Sequence, residues 1–205
     1  MDKKNIVVIS TIYEGYAVKQ AIAKLSPDKL ILVTDEPKDK KKRDKMEKVI
    51  KTIKEFFKET IFIEVIKIPS YNIPKIIEMI IKIIDKESKK ENKILVHTTE
   101  GRKTISLGLL FAAYRRKEKV KGAYYITEEE HKLISLPLIN FSLGESKKSL
   151  LKEIAKGNGV VHDMGKKLKI KPSAIYQHVQ ELKREGYIEN EGGLKLTDLG
   201  RIMIL

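Results

Sequence analysis

Residues 94–104 read Ile94-Leu95-Val96-His97-Thr98-Thr99-Glu100-Gly101-Arg102-Lys103-Thr104. A short apolar run gives way at once to hydroxyls, a glycine and two cations. From Arg102 to Arg116 apolar side chains return at helical spacing, with Ile105, Leu109, Ala112 and Ala113 on one face. A continuous apolar run suits a strand buried on both faces, and a period near 3.6 suits a helix packed on one. The stretch is therefore a strand, a turn and a helix, the repeating unit of an α/β sheet.

The same alternation runs back to the start of the chain. Ile6-Val7-Val8-Ile9 and Leu30-Ile31-Leu32-Val33 are two further buried strands, separated by a helix carrying Ala17, Val18, Ala21, Ile22 and Leu25 and closed by Ser26-Pro27. The charge run Lys38–Lys45 opens a helix that continues through Met46, Val49, Ile50, Ile53, Phe56 and Phe57. Ile61–Ile68 reads as a strand ended by Pro69. Ile73, Ile76, Ile77, Ile80, Ile81 and Ile84 mark a helix with one buried face. Gly122–Ile126 and Lys132–Leu136 close the region as strands, the pair forming a hairpin. The predicted fold class is α/β: a Rossmann-like, mostly parallel sheet with helices on both faces, over residues 1–143.

A break near Leu143-Gly144-Glu145 precedes a second domain, residues 144–205. A helix runs from a Ser146 cap through Leu150, Leu151, Ile154 and Ala155, and stops at Gly157-Asn158-Gly159. A short helix (Val161, Met164, Leu168) and the turn Lys169–Ser173 follow. The next helix spans Ala174–Glu185, with Pro172 in its first turn, Gly186 at its exit, and Ile175, Val179 and Leu182 as its apolar stripe. Tyr187–Thr197 holds two strand-like runs around Glu191-Gly192-Gly193, and Thr197-Asp198 caps a closing helix. This order predicts a small winged helix-turn-helix. Tyr176, Gln177 and Gln180 are of types that read base edges, Lys171, Lys183, Arg184 and Lys195 suit phosphates, and Ser173 is a further candidate DNA-binding residue. The expected partner is double-stranded DNA.

Composition agrees with such a partner. The 205 residues carry a formal charge of +14, with a pI near 9.6, and basic surface supplies the salt-dependent term of DNA binding. Lysine excess also marks heat-adapted proteins, and winged helices also serve as dimerisation modules. With 41% hydrophobic and 34% charged residues the chain has the make-up of a globular protein. It holds no cysteine, which excludes disulfides and thiolate chemistry. The N-terminal Met1-Asp2-Lys3-Lys4 leads into an apolar run too short for a secretion signal, and Ile73–Ile84 is too short and too charged to cross a bilayer. A cytoplasmic protein without a membrane partner is expected. His97, His131, His162 and His178 lack metal-ligand spacing, so no metal is expected.

In an open α/β sheet ligands bind beyond the carboxyl ends of the strands. One loop there is Ser10-Thr11-Ile12-Tyr13-Glu14-Gly15-Tyr16, with hydroxyls and two aromatic rings. The other is His97-Thr98-Thr99-Glu100-Gly101-Arg102-Lys103-Thr104, at a helix N-terminus whose free N–H groups favour an anion. Ser10, Thr11, Ile12, Tyr13, His97, Thr98, Thr99, Glu100, Gly101, Arg102, Lys103 and Thr104 are the candidate ligand residues. Arg102 and Lys103 would face phosphates and should be dispensable for folding. The plainer alternative makes Thr98, Thr99 and Thr104 helix caps and the two cations surface charge. Neither loop is a Walker A or a G-x-G-x-x-G motif, so no nucleoside triphosphatase, nicotinamide cofactor or other cofactor is expected. No catalytic residue is assigned.

Taken together, the two domains resemble the archaeal CRISPR-associated transcription regulators, which join a Rossmann-like CARF domain to a C-terminal winged helix. The resemblance covers the whole chain and is sharpest at Thr98-Thr99-Glu100-Gly101-Arg102-Lys103-Thr104, with Ser10-Thr11-Ile12-Tyr13-Glu14 matching the other ligand motif in position. It implies a homodimer with the loops facing each other across the two-fold axis. It further implies a cyclic oligoadenylate ligand, the four-membered ring, and a place in antiviral defence. Glu100 departs from the family's small residue, and a carboxylate there would repel a phosphate unless Arg102 or Lys103 pairs with it. Two alternatives stay open: a ring nuclease in which Ser10 and Lys103 orient a 2′-hydroxyl and stabilise the phosphorane, and a constitutive winged-helix repressor without a nucleotide ligand.

Overall fold

A computed structural model of the chain describes residues 5–139, 143–158, 161–190 and 193–204. The chain divides into two compact units, Met1–Leu138 and Ile139–Leu205; the break read from the sequence lay near Leu143–Glu145.

In the first unit strands and helices alternate: β1 Ile6–Thr11, α1 Tyr16–Leu25, β2 Lys29–Thr34, α2 Lys40–Phe57, β3 Phe62–Lys67, α3 Ile73–Ser88, β4 Lys93–His97, α4 Lys103–Arg115, β5 Val120–Ile126 and β6 Leu133–Leu136. The six strands form one sheet in the order β3-β2-β1-β4-β5-β6. All pairings are parallel except β5 with β6, which is the antiparallel hairpin expected at the end of the unit. Two cores clasp the sheet. Val7, Ile9, Ile31, Val33, Ile94 and Val96 pack with the isoleucines of α3 and with Ile105, Leu109, Ala112 and Ala113 of α4. Val8, Leu30, Leu32 and Leu95, from the alternate positions, pack with Val18 and Ile22 of α1 and Met46 and Ile53 of α2. Successive side chains on a strand point to opposite faces, so an unbroken apolar run is what a sheet covered on both sides requires.

One boundary differs in a way that matters for the site. β1 extends to Thr11 and β4 to His97, so Ser10, Thr11 and His97 are strand residues rather than loop residues. The ladder carries on through them: Ser10 pairs with Leu32 on one side and His97 on the other, and Thr11 with Val33.

The second unit comprises α5 Glu145–Ala155, α6 Val161–Leu168, α7 Pro172–Arg184, the antiparallel strands β7 Ile188–Asn190 and β8 Leu194–Leu196, and α8 Asp198–Ile202. Leu150, Leu151 and Ile154 of α5 share a core with Met164, Tyr187 and the α7 stripe Ile175, Val179 and Leu182. The N-cap of α5 is Gly144 rather than Ser146, and no side chain caps it. Pro172 opens α7 at a helix-compatible position and Gly186 leaves it at φ 79°. Thr197 caps α8, accepting from the Gly200 N–H at 3.2 Å. Met1-Asp2-Lys3-Lys4, Gly159 at the expected helix stop, and Glu191-Gly192 of the expected wing turn lie outside the described residues.

Candidate functional site

The strand order reverses between β1 and β4, the point at which doubly wound sheets open a crevice at their carboxyl edge. The loops that follow these two strands meet there, and Glu100 joins them. Its Oε2 accepts from the backbone N–H groups of Tyr13 (2.9 Å), Glu14 (2.9 Å) and Gly15 (2.7 Å), and its Oε1 from that of Ala17 (2.7 Å). Gly15, the N-cap of α1, sits at φ 80° and offers no side chain to cap the helix. Glu100 does so from the far loop, satisfying the free amides and the positive end of the helix dipole. The repulsion expected of Glu100 is thus answered by four amides, and neither Arg102 nor Lys103 forms an ion pair with it among the described residues.

Ser10, Thr11 and His97 are fully buried. The His97 ring lies between two hydroxyls, Nδ1 at 2.8 Å from Ser10 Oγ and Nε2 at 2.7 Å from Thr99 Oγ1. Thr99 Oγ1 also accepts from the Ile126 N–H at 2.7 Å, and Ser10 Oγ donates to the Thr11 carbonyl at 3.0 Å. Every donor finds an acceptor if Thr99 donates to Nε2 and the Nδ1–H donates to Ser10. Burial pushes the imidazole down to about 4, so it stays neutral. These groups knit β1, β4 and β5 together beneath the crevice. Thr98 is buried beside them, and Thr11 Oγ1 has no hydrogen-bond partner among the described residues.

Arg102 is also committed. Its Nε donates to the buried Asp35 carboxylate, Nη1 donates to the Tyr71 hydroxyl at 3.0 Å, and the guanidinium lies 5.3 Å from the Tyr71 ring centroid. Asp35 accepts a second bond from Ser70 Oγ at 2.8 Å, and Thr104 Oγ1 donates to the Ser70 carbonyl at 2.5 Å. Pairing with Asp35 pushes the guanidinium above its already high value. Arg102 therefore ties the ends of β2 and β3 to the β4–α4 loop. Lys103 is exposed and without an ion pair among the described residues. The N-cap Arg102 makes no side-chain capping bond to α4, and among the described residues the bonds of Thr99 and Thr104 go to His97, the Ile126 N–H and the Ser70 carbonyl rather than to the first amides of the helix.

Two cavities flank Tyr13 at this edge. One of 340 Å³ is lined by Tyr13, Glu14, Tyr16, Ala17, Thr99, Glu100, Gly101, Ile126, Thr127, Glu128 and His131. The other, of 230 Å³, is lined by Ile12, Tyr13, Asp35, Pro37, Lys42, Met46, Gly101, Arg102 and Ile105. Tyr13 and Gly101 border both. The Tyr13 ring is 41% exposed, and Lys45 Nζ lies 5.6 Å from its centroid. Gly101 adopts φ 88°, and a Cβ there would stand 3.2 Å from Thr11 Cβ. Tyr16 meets the His131 ring edge-on at 4.9 Å between centroids.

Sequence reasoning missed Asp35, Ser70, Tyr71, Lys42, Thr127, Glu128 and His131. The available signal was position: Asp35 directly follows β2, the strand beside β1, and Ser70 comes three residues after β3, the next strand out.

A second candidate surface lies on α7. Ser173, Tyr176, Gln177, Gln180 and Arg184 face outward, as do Lys171 before the helix and Lys195 on β8, while Lys183 is half-buried. Tyr176 is 59% exposed. Gln177 Nε2 donates to Glu181 at 3.2 Å. Glu181 and Glu185 are drawn away to Lys147 of α5, at 2.9 and 3.6 Å, so the acids of the helix are neutralised within the unit.

The first unit is thus a doubly wound α/β fold with a crevice at its carboxyl edge. Residues 5–131 match the family described as "HFX_2341_N:-like, N-terminal", and the chain belongs to that family. No curated protein matches the chain. Among solved structures it is similar in fold to Csm6 of Enterococcus italicus bound to cyclic hexa-2′-fluoro-hexa-dAMP (11% identity, TM-score 0.58, 88% of this chain and 54% of that one). It is also similar to a type III CRISPR defence DNA nuclease activated by cyclic oligoadenylate (12%, TM-score 0.50, 96% and 38%), and to VC1899 of Vibrio cholerae (10%, TM-score 0.52, 97% and 64%). The chain spans between 38% and 64% of the length of these three proteins. At such identities the likeness is one of fold.

Proposed function

We propose that the chain is a CRISPR-associated transcription regulator whose first domain, residues 1–143, senses a cyclic oligoadenylate and whose second, residues 144–205, binds double-stranded DNA. The observation that carries the ligand half is the pair of cavities on either side of Tyr13 at the β1/β4 reversal. Arg102, the N-cap of α4, and Lys42 border the smaller one, a setting suited to a phosphate-bearing ligand. Two of the fold neighbours support this reading, one activated by cyclic oligoadenylate and one bound to a cyclic hexanucleotide. Exposed Leu107 and Phe111 on α4 supply apolar surface for a second copy. A two-fold dimer would match a four-membered ring, which has two-fold symmetry of its own.

In the second domain, α6, α7 and the β7–β8 hairpin read as a winged helix-turn-helix with α7 as the recognition helix. Ser173, Tyr176, Gln177 and Gln180 would meet base edges, and Lys171, Lys183, Arg184 and Lys195 phosphates. Binding without cleavage is favoured over a ring nuclease because the Ser10 hydroxyl is buried and already bonded to His97 and Thr11. The test is a calorimetric titration of the intact protein with cyclic tetra-adenylate, paired with a mobility-shift assay on duplex DNA. One ring per two protomers and a salt-sensitive shift are expected. Absence of heat at millimolar ring overturns the ligand half, and absence of a shift overturns the DNA half.

A further inference from the structure

We infer that the smaller cavity, on the α2 side of Tyr13, is a nucleotide subsite in its own right. It takes one unit of the ring, with the base against Tyr13 and the apolar Ile12, Met46 and Ile105, and the phosphate against Lys42. This rests on the cyclic-oligoadenylate reading above and extends the site to a helix outside both strand-end loops.

Size is the first argument. Whole small-molecule ligands occupy pockets of about 300–1,000 Å³. At 230 Å³ this cavity holds a fragment of such a ligand, and the 340 Å³ cavity across Tyr13 has room for the continuation. A ligand filling both must be composite and must straddle the tyrosine.

Charge is the second. The larger cavity is bordered by Glu128 and by two carboxylates that are already answered, Glu14 by Lys45 and Glu100 by four backbone amides, and among the described residues no lysine or arginine lines it. The smaller one is bordered by Lys42, by Arg102 and by the Asp35 carboxylate that pairs with the Arg102 guanidinium, which leaves Lys42 as its unmatched charge. Lys42 sits in the first turn of α2 with Lys40, Lys41 and Arg43, and no acidic residue accompanies them there. Cations at a helix N-terminus oppose the dipole. Lys45, one turn on, is paired with Glu14 at 3.1 Å, whereas Lys42 has no ion pair among the described residues.

The third argument is presentation. Glu100 fixes the backbone of Tyr13 through its N–H, so the half-exposed ring is offered from a rigid loop. Bases of any identity stack on such a ring.

The test compares binding of cyclic tetra-adenylate by the intact wild type and by Tyr13→Phe, Tyr13→Ala, Lys42→Ala and Lys42→Glu, with thermal midpoints confirming that each folds. The Lys42 side chain is exposed and its backbone N–H keeps the Asp39 cap, so these variants spare the helix. Tyr13→Phe should bind within about twofold of wild type, and Tyr13→Ala roughly 10- to 100-fold more weakly. Lys42→Ala should lose about three- to tenfold and flatten the salt dependence, and Lys42→Glu should lose more. If wild type binds the ring and both Lys42 variants bind it equally well, the α2-side subsite is overturned while the ligand reading stands. If wild type does not bind, both fall together.

Discussion

The carboxylate of Glu100 lies 2.7 Å from the backbone nitrogen of Gly15, 85 residues earlier in the chain. Through this contact and its bonds to Tyr13, Glu14 and Ala17, the loop after β4 caps the helix that follows β1. The two loops at the sheet reversal therefore form one body. Any ligand resting on Tyr13 and Gly101 touches both together.

Glu100→Gln should destabilise the first unit by about 1–3 kcal/mol, because the amide keeps one acceptor oxygen and turns N–H donors toward N–H donors. Glu100→Gly should not tighten ligand binding, since it frees the loop that carries Tyr13. Denaturant unfolding measures the first effect. A change below about 0.5 kcal/mol, the level of an ordinary surface substitution, would show that the cap is not structural.

Arg102→Ala should cost about 1–3 kcal/mol of stability, reduced from the cost of breaking a fully buried pair because Arg102 is partly solvated. Among the described residues it leaves the Ser70 hydroxyl as the side-chain partner of the buried Asp35 carboxylate. Lys103→Ala should stay within about 0.5 kcal/mol and weaken ligand only. Unfolding curves of the two variants, side by side, test the division of labour between neighbouring cations; equal stability of both would contradict it.

Burial holds the His97 imidazole at about 4, whereas a histidine in the unfolded chain titrates near ~6.5. Below pH ~6.5 the unfolded chain binds a proton that the folded one refuses, so stability is complete above that pH and falls toward pH ~4. Between pH 7 and pH 5 the first unit should lose about 2 kcal/mol, in a window above the unfolded carboxylates. Urea unfolding across this range measures it, and His97→Gln should flatten the slope. A flat wild-type profile would mean that the ring is not buried and neutral.

The strands Ile6–Ile9 and Leu30–Val33 were legible because burial on both faces leaves an unbroken apolar run, and the α3 and α7 stripes because one-sided burial leaves a 3.6 period. Ser10 and Thr11 were read as loop because hydroxyls look like a strand end. Only the neighbouring strands show that the ladder runs on and that His97 supplies Ser10 with a partner. Glu100 read as an opponent of phosphate because its partners are backbone amides, which carry no residue signature. Lys42 was hidden in a run of lysines, and only the fold sets it apart from Lys45. The α5 cap fell on Gly144 rather than Ser146, a shift of the size that separates helix boundaries generally.

On α7, Arg184→Ala should weaken binding to all duplexes alike and reduce the salt slope by about one unit. Gln180→Ala should relax sequence preference by about 1–3 kcal/mol. Gln177→Ala should do less, because its amide is held by Glu181. Affinity and salt slope unchanged in a Lys183→Ala, Arg184→Ala double variant would remove α7 from the groove.

The measurement that reaches the central claim most directly is the affinity of the intact protein for duplex DNA, by fluorescence anisotropy, with and without saturating cyclic tetra-adenylate. Coupling between two sites is a shared free energy, typically about 1–3 kcal/mol, and it is reciprocal. A regulator should therefore shift its DNA affinity by roughly five- to 150-fold on adding the ring, with the ring's own affinity shifted equally by DNA. An identical DNA affinity in a sample shown by calorimetry to hold the ring would contradict the account.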